Sequence, residues 1–280
     1  MYKILRKEKL NPTVTRMEIL APEVAAKAEP GQFIILRPLD DSERIPLTVA
    51  DFDREKGSVT IIFQIVGATT AVLNTLEEGD SVCDFVGPLG VPSHTEGLKR
   101  VCVVGGGVGC AIALPVAQAL HEAGAVVHSI VGFRNKDLVI LEDDFNACSD
   151  RVCMMTDDGS YGQKGVVTVA LEQLIQEGNE YDEVIAIGPV IMMKFVCLTT
   201  KKYNIKTVIS MNPIMVDGTG MCGGCRLTVG GETKFACVDG PDFDGHLVDF
   251  DEAMKRGAMY RDFEAHKREE ACNLFKKEAE

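Results

Sequence analysis

The run Val101-Cys-Val-Val-Gly105-Gly-Gly-Val-Gly109-Cys-Ala-Ile-Ala-Leu114 combines a strand pattern, a glycine-rich turn and a helix pattern. β-Branched residues stop at Gly105 and small aliphatic residues resume after Gly109, which predicts a buried strand followed by a helix. The free amides and the dipole at the start of that helix favour a phosphate group, and glycine lets the phosphate approach the backbone. Because Cys110 occupies the third glycine position of a strict Gly-x-Gly-x-x-Gly pattern, a close packing turn between strand and helix is an alternative interpretation.

Residues 98–212, which surround this turn, alternate apolar strands with helical stretches. The predicted strands are residues 100–104, 126–131, 151–155, 183–187 and 207–210. Such alternation is typical of a doubly wound parallel sheet. Two further segments, Thr156 to Gly162 and Gly188 to Met193, follow predicted strands and therefore belong to the carboxyl edge, where open α/β sheets bind ligands.

Residues 1–97 carry β-branched and apolar runs separated by turn signals, which predict a small antiparallel barrel. The runs are residues 13–20, 32–37, 47–50, 58–66 and 81–86. Polar groups stand beside them in Arg44-Ile-Pro-Leu-Thr48 and Gly67-Ala-Thr-Thr70. Arginine can pair with a pyrophosphate, threonine can hydrogen-bond the edge of a flavin ring, and amides at a helix start near Thr69 can hold a phosphate oxygen. Both stretches are also common in ordinary barrels, so a structural role stays open on spacing alone.

Residues 213–280 contain a second informative run, Asp217-Gly-Thr-Gly-Met-Cys222-Gly-Gly-Cys225, followed by Cys237. These four residues fit the ligand-x4-Cys-x2-Cys-x11-Cys spacing of plant-type 2Fe-2S ferredoxins, with Asp217 in place of the first cysteine. Glycines let the loop amides turn toward a cluster, and Gly230-Gly231 predicts a hairpin that returns Cys237 to the loop. A zinc knuckle is the alternative, since cysteines with one oxygen ligand also suit tetrahedral zinc. Because a carboxylate is a hard ligand for such a cluster, Asp217 is either the fourth ligand or a neighbour of the cluster, with another residue or none in the fourth place.

Composition excludes several classes of function. The 280 residues carry a formal net charge of −13 without a basic stripe, which argues against nucleic acid or an anionic membrane as a partner. The N-terminus lacks a signal-peptide pattern, and glycines and Pro115 interrupt the longest apolar run, so no membrane span is expected. The 10 cysteines then indicate a reducing, cytoplasmic location. The charged tail from Asp251 to Glu278, with Tyr260, Phe263 and Phe275, is either a docking surface or an amphipathic helix packed on its own domain.

In chain order, the motifs resemble those of the ferredoxin-NADP reductase superfamily over nearly the whole chain. They are Arg44-x-Pro-Leu-Thr48, Gly67-x-x-Thr70, Gly87-Pro-Leu-Gly90, Gly105-Gly-Gly-Val-Gly109, Gly132-Phe-Arg134, Asp158-Gly-Ser160 and Gly188-Pro-x-x-Met-Met193. With the cysteine loop, the resemblance narrows to the group that contains dihydroorotate dehydrogenase electron-transfer subunits and small subunits of NADH-dependent reduced ferredoxin:NADP oxidoreductases. Asp217 and the long segment after Cys237 are similar to the second, electron-bifurcating branch.

The resemblance implies three domains: an FAD-binding barrel at residues 1–97, an NAD(P)-binding doubly wound domain at 98–212, and a 2Fe-2S domain with a helical tail at 213–280. Arg44 is implied to hold the FAD pyrophosphate, and Thr48 to lie near the reactive flavin nitrogen. The other implied FAD positions are Pro46, Leu47, Val66, Gly67, Thr69 and Thr70. The implied nicotinamide nucleotide positions are Gly105, Gly106, Gly107, Val108, Gly109, Arg134, Asp158, Gly188 and Pro189. The implied cluster ligands are Asp217, Cys222, Cys225 and Cys237.

The implied activity is hydride exchange between NAD(H) and FAD and single-electron exchange with the 2Fe-2S cluster, with no side-chain acid or base. NAD(H) is the expected nucleotide, although Arg134 and Lys136 could meet the 2′-phosphate of NADP(H). The implied partner is a large subunit that carries FAD and 4Fe-4S clusters and connects the heterodimer to ferredoxin. Two alternatives stay open: an electron-transfer subunit of dihydroorotate dehydrogenase and, from another class, a zinc-stabilised nucleotide-binding interaction module.

Overall fold

An antiparallel seven-stranded sheet forms the first part of the structure, a computed structural model that describes residues 1–267. Its strands are β1 (Tyr2–Asn11), β2 (Val14–Leu20), β3 (Phe33–Arg37), β4 (Ile45–Asp53), β5 (Ser58–Gln64), β6 (Ser81–Val82) and β7 (Asp84–Leu89). Their order across the sheet is β6-β1-β2-β5-β4-β3-β7. Only Cys83 separates the two edge strands, β6 and β7, so the sheet curls into a nearly closed barrel. The predicted barrel is confirmed.

Alternating side chains fill the barrel core. On β2 and β5, Met17, Ile19, Ile61 and Phe63 point inward and are buried, while the residues between them face outward. Two helices, α1 (Pro22–Ala25) and α2 (Ala68–Thr75), accompany the barrel. The period of two thus matches the alternating apolar pattern of the sequence.

A second seven-stranded sheet forms the middle of the structure. Its strands are β8 (Arg100–Gly106), β9 (Val126–Phe133), β10 (Arg151–Thr156), β11 (Gln163–Lys164), β12 (Glu183–Ile187), β13 (Thr207–Ser210) and β16 (Asp242–Asp244), in the order β11-β10-β9-β8-β12-β13-β16. All neighbours pair in parallel except β16, which runs antiparallel to β13. Helices α3 (Cys110–Glu122) and α4 (Glu142–Ala147) cover one face, and α5 (Val167–Gln176) and α6 (Val190–Lys202) cover the other. The predicted doubly wound sheet is confirmed.

The last part folds around a short hairpin and one helix. Strands β14 (Arg226–Val229) and β15 (Glu232–Phe235) pair as predicted, and Cys237 follows β15 in a turn rather than within the strand. Helix α7 (Phe250–Gly257) comes next, and the chain is helical again at 261–267. The end of the predicted tail, including Phe275, lies outside the described residues. Among residues 1–267, no helix has the length and apolar character that a membrane crossing requires.

Candidate functional site

A cavity of about 750 Å³ lies between the barrel and the carboxyl edge of the parallel sheet. Its size suits a small organic ligand or part of a dinucleotide. The barrel contributes the turn between β1 and β2 and the end of β5, and the sheet contributes the segments after β8, β9, β10 and β12. Of the predicted nucleotide positions, the lining includes Gly106, Gly107, Val108, Gly109, Arg134, Gly188 and Pro189. The structure therefore brings these positions together around one space.

The glycine turn after β8 has two roles, which different glycines carry. A side chain at Gly109 would place its β-carbon 2.6 Å from the carbonyl oxygen of Ile187, and one at Gly106 would collide with Met192 Sδ. Close packing between the turns after β8 and β12 therefore requires these two glycines. Gly107 differs, because it has a φ of 56°, open space around its α-carbon and a place in the cavity lining. The packing interpretation explains Gly106 and Gly109, and the phosphate interpretation fits Gly107.

Two predicted nucleotide positions, Gly105 and Asp158, lie outside this lining. Gly105 packs against Cys110, whose Sγ lies 2.9 Å from where a β-carbon would stand. The Asp158 carboxylate accepts hydrogen bonds from the hydroxyl and the amide of Ser160, at 2.6 and 2.9 Å. These bonds lower the pKa of Asp158 and commit its carboxylate to shaping its own turn. The adjacent Asp157, which belongs to the predicted carboxyl-edge segment but not to the Asp158-Gly-Ser160 motif, lines the cavity instead.

The Arg44 side chain carries a buried hydrogen-bond donor that lacks an acceptor in the described structure. Its Nε is buried and has no hydrogen-bond partner among residues 1–267, which is uncommon for a buried donor. A pyrophosphate would satisfy it through a charge-assisted hydrogen bond. Thr48 lies on β4 opposite Phe33 of β3, and Pro46 and Leu47 precede it on the same strand. The residues present therefore fit the predicted flavin site.

The turn before α2 carries the predicted phosphate-binding residues of the flavin site. The Thr70 hydroxyl accepts hydrogen bonds from the amides of Val66 and Gly67, both at 3.0 Å, and donates to the Gly67 carbonyl at 2.9 Å. This hydroxyl therefore shapes the turn itself. The first-turn amides of α2 have no acceptors within the helix, so they are the groups that a phosphate can use. Phosphate contact at Val66, Gly67, Thr69 and Thr70 stays a prediction, in which backbone amides and not side chains bind the phosphate.

The cysteine loop brings thiols into contact with backbone amides. Cys225 and Cys237 are buried, and their sulfur atoms lie 3.3 Å apart. Burial, followed by the neighbouring Cys225 thiol, raises the pKa of Cys237. The exposed Cys222 thiol accepts a hydrogen bond from the amide of Gly224 at 3.4 Å, which together with the amide of Asp217 lowers its pKa. Hydrogen bonds to sulfur tune an iron-sulfur cluster, so this loop fits the predicted cofactor.

Asp217, the predicted fourth ligand, is held by its own loop. Its Oδ2 accepts hydrogen bonds from the Thr219 hydroxyl at 2.7 Å, the Thr219 amide at 2.9 Å and the Met221 amide at 3.2 Å. These bonds lower the pKa of Asp217, and the positive charge of Arg44 acts in the same direction. Within the described range, no three His, Cys, Asp or Glu side chains already stand close enough together to hold one metal ion. The structure thus pairs two of the four predicted ligands, and the role of Asp217 stays a prediction.

Several cavity residues carry no recognisable motif and were missed in the sequence. They include Asn11, Thr13, Gln64, Phe195 and Asn212, which come from both the barrel and the sheet. The polar turn at 11–13, at the start of the first predicted strand, was the one available signal. Gln64, Phe195 and Asn212 can be assigned to the cavity only from the folded structure, because the barrel and the sheet must first pack against each other.

Comparison with known proteins identifies relatives of this chain. The family described as the iron-sulfur cluster binding domain of dihydroorotate dehydrogenase B matches residues 212–249, which include the cysteine loop. The chain is 54% identical to an uncharacterized protein of Clostridium beijerinckii, and the match covers 93% of this chain and 91% of that protein. It is 49% identical to a Thermotoga maritima homologue of the dihydroorotate dehydrogenase B (NAD(+)) electron transfer subunit, over 94% and 93% of the two chains.

A solved structure shows the same fold along the whole length. A chain of the NADH-dependent reduced ferredoxin-NADP oxidoreductase, described in connection with flavin-based electron bifurcation, superposes with a TM-score of 0.91 at 47% identity. The match covers 96% of this chain and 97% of that one. The chain therefore belongs to the ferredoxin-NADP reductase superfamily, in the branch of the dihydroorotate dehydrogenase B electron-transfer subunits and their homologues.

Proposed function

We propose that this chain is the FAD and 2Fe-2S electron-transfer subunit of an electron-bifurcating, NADH-dependent reduced ferredoxin:NADP oxidoreductase. It exchanges hydride with NAD(H) and passes single electrons to a larger subunit that carries a second FAD and 4Fe-4S clusters. The relatives named as electron-transfer subunits support a partner protein. The 47% identical chain from the electron-bifurcation study supports this branch of the family.

One observation carries the proposal: the cysteine loop lies directly against the flavin barrel. A β-carbon on Gly218 would lie 2.8 Å from Ile35 of β3 and 2.9 Å from Leu89 of β7. The charge of Arg44 also reaches the Asp217 carboxylate in the same loop. One chain therefore holds the flavin site and the cluster loop side by side, with the nucleotide cavity between the barrel and the sheet.

The residues of this chain bind and orient the cofactors, which supply hydride and single-electron transfer when bound. Arg44 would neutralise the FAD pyrophosphate, and the turn that contains Gly107 together with the start of α3 would hold the phosphates of NAD(H). Asp217 and the three cysteines of the loop hold the cluster. No side chain is required as an acid or a base.

A second candidate function is that of a dihydroorotate dehydrogenase electron-transfer subunit. The family match at residues 212–249 and the 35% identical Streptococcus pneumoniae subunit support it. We favour the bifurcating enzyme because Asp217 stands in the position of the first cysteine and because the 47% identical structure aligns over nearly the whole of both chains. The iron-sulfur family match also favours a cluster over the zinc-stabilised module.

The test is to isolate the chain with its natural partner under anaerobic conditions and to assay the complex. The proposal predicts a larger subunit with FAD and 4Fe-4S clusters, and reduction of ferredoxin by NADPH that requires NAD+ as the second acceptor. A complex that instead reduces NAD+ with dihydroorotate, without involving ferredoxin, would establish the second candidate.

A further inference from the structure

The three parts of the chain meet at one carboxyl group, that of Asp242. Asp242 begins β16 and pairs with Ser210 at the end of β13 in the nucleotide sheet. Its Oδ2 accepts a hydrogen bond of 2.5 Å from the hydroxyl of Ser93, which lies in the segment joining the barrel to that sheet. Its Oδ1 is buried and has no partner in the part of the chain that the structure describes. One side chain thus connects the barrel linker, the nucleotide sheet and the segment that follows the cysteine loop.

The contact among Ser93, Ser210 and Asp242 forms a joint between the parts of the chain. Backbone hydrogen bonds on both sides hold this joint. The amide of Val91 donates to Gly240 at 2.7 Å, and the amide of Met211 donates to Pro241 at 2.9 Å. The amide of Ser93 donates to Pro30 at 2.9 Å. The linker is therefore fastened to the barrel at one point and to the C-terminal segment at another.

The joint also fits too closely for an extra carbon atom. Gly31 has a φ of 84°, and a β-carbon there would collide with Ser93 Oγ. A β-carbon on Gly90 would lie 2.9 Å from the ring of Phe33 and 3.0 Å from Pro241. Segments packed this closely transmit strain to one another, because interiors at this density have low compressibility.

Each of the three candidate sites is connected to this joint through one residue. Phe33, which packs on Gly90, is the cross-strand partner of Thr48 in the flavin site. Ser210, the partner of Asp242 on β13, lines the nucleotide cavity. Cys237 of the cluster loop lies five residues before Asp242 in the chain. A change in the joint would therefore displace the flavin strand, the cavity wall and the cluster loop relative to one another.

We propose that Asp242 is a positioning residue, whose hydrogen bond from Ser93 sets the spacing of the flavin, nucleotide and cluster sites. The proposal rests on the proposed function, since it concerns the distance over which hydride and electrons pass. Small displacements matter here, because a misplacement of about 1 Å far from the chemistry can cost roughly 100-fold in rate.

The competing account is that Asp242 only stabilises the fold. Asp182 provides the matched control, since its carboxylate accepts hydrogen bonds from the amides of Lys99 and Arg100 at 2.7 and 2.9 Å. These groups stand at the amino ends of β8 and β12, opposite the cavity. Asp182→Ala removes carboxylate hydrogen bonds from the same sheet without touching the joint.

The experiment compares Asp242→Ala, Ser93→Ala, Asp242→Asn and Asp182→Ala in the full-length chain loaded with FAD and cluster. Flavin bleaching at saturating NADH is followed in a single turnover, and NADH affinity is titrated separately. We expect Asp242→Ala and Ser93→Ala to slow bleaching by about 10- to 100-fold with NADH affinity unchanged. Asp242→Asn keeps an acceptor for Ser93 and should bleach at the wild-type rate. Asp182→Ala should also bleach at the wild-type rate but should have a lower melting temperature.

Amide hydrogen exchange of the apoprotein gives a second readout that does not depend on activity. Exchange at Gly90, Val91 and Ser93 and at residues 210–212 should rise in Asp242→Ala and Ser93→Ala and stay unchanged in Asp182→Ala. Wild-type bleaching rates in both joint variants, or an equal loss in Asp182→Ala, would overturn the positioning role. If wild-type protein itself is not bleached by NADH, the proposed function fails, and unchanged exchange in the joint variants would then overturn this inference as well.

Discussion

At the scale of single residues, Arg44 offers the most direct test of the flavin site. Its buried Nε lacks a partner among the described residues, so Arg44→Met removes the group that would pair with the FAD pyrophosphate. Hydrogen bonds to charged groups contribute about 1.5–3 kcal/mol, which predicts FAD binding weakened roughly 10- to 150-fold. Flavin fluorescence titration of the apoprotein measures this change.

Arg37 is the matched control for Arg44, because it lies in the same barrel and its Nε already donates to Asp84 at 2.7 Å. Arg37→Met should leave FAD affinity unchanged. Equal losses of FAD affinity in the two variants would show that barrel stability, and not a pyrophosphate contact, explains the effect of Arg44→Met.

Two adjacent aspartates lie differently relative to the nucleotide cavity. Asp157 lines the cavity, whereas the Asp158 carboxylate is already bound by Ser160. A carboxylate in the cavity accepts hydrogen bonds from a ribose 2′-hydroxyl and repels a 2′-phosphate. Asp157→Ser should therefore raise the affinity for 2′,5′-ADP relative to ADP by about 10-fold, one repulsive contact of about 1.4 kcal/mol.

Calorimetric titration with both nucleotides measures that ratio, and Asp158→Asn serves as the control because its amide oxygen can still accept from Ser160. A ratio that changes in Asp158→Asn but not in Asp157→Ser would reverse the assignment of the two residues.

At the scale of elements, the contact between the cluster loop and the barrel depends on Gly218. Gly218 has a φ of 84°, and a β-carbon there would press on Ile35 and Leu89. Gly231 has nearly the same φ, 83°, with open space around it. Both Gly→Ala changes incur backbone strain, but only Gly218→Ala adds overpacking, so it should lower the free energy of unfolding by about 1–3 kcal/mol more than Gly231→Ala.

Urea unfolding of the two variants measures the difference, and iron retention after gel filtration shows whether the loop still holds its cluster. Equal unfolding free energies would mean that the loop does not dock on β3 and β7 as the structure shows.

The observed strands show which elements a local sequence pattern can predict. The five strands predicted within residues 98–212 form where buried apolar runs indicated them, because such runs carry a strong signal. Strand β1 was not predicted, since Tyr2–Asn11 is rich in charged residues and only Ile4 and Asn11 are buried. Strand β16, Asp242–Asp244, was also missed because its place at the sheet edge depends on β13 and not on its own sequence.

At the scale of the whole molecule, burial at the joint between the parts predicts a dependence of stability on pH. Burial raises the pKa of Asp242, and the hydrogen bond from Ser93 opposes that rise. A carboxyl group whose pKa is higher in the folded state binds its proton more tightly there, so it contributes stability in acid that is lost as pH rises through the folded pKa.

The melting temperature of the wild type minus that of Asp242→Asn should therefore be largest at about pH 4, near the unfolded pKa, and should decline toward neutral pH. Thermal unfolding of both apoproteins over this range checks the sign. A difference that grows with pH would contradict a buried carboxyl group at this position.

The sequence therefore predicts the separate parts of the fold better than the contacts between them. Motif order indicated a barrel, a nucleotide sheet and a cysteine loop, because each has a local pattern of its own. The cavity contributions of Gln64, Phe195 and Asn212, and the Asp242 joint, depend on contacts between segments far apart in the chain. Such contacts carry no local pattern, so the structure was needed to find them.

In the proposed function, electrons pass from NADH through a flavin and an iron-sulfur cluster held by this one chain. The direct measurement is anaerobic purification with a visible spectrum and with flavin and metal analysis, followed by addition of NADH. The account predicts one FAD per chain, about two irons per chain as a 2Fe-2S cluster requires, and bleaching of the flavin bands by NADH. A colourless protein with about one zinc per chain, unchanged after reconstitution with iron, sulfide and FAD, would contradict it.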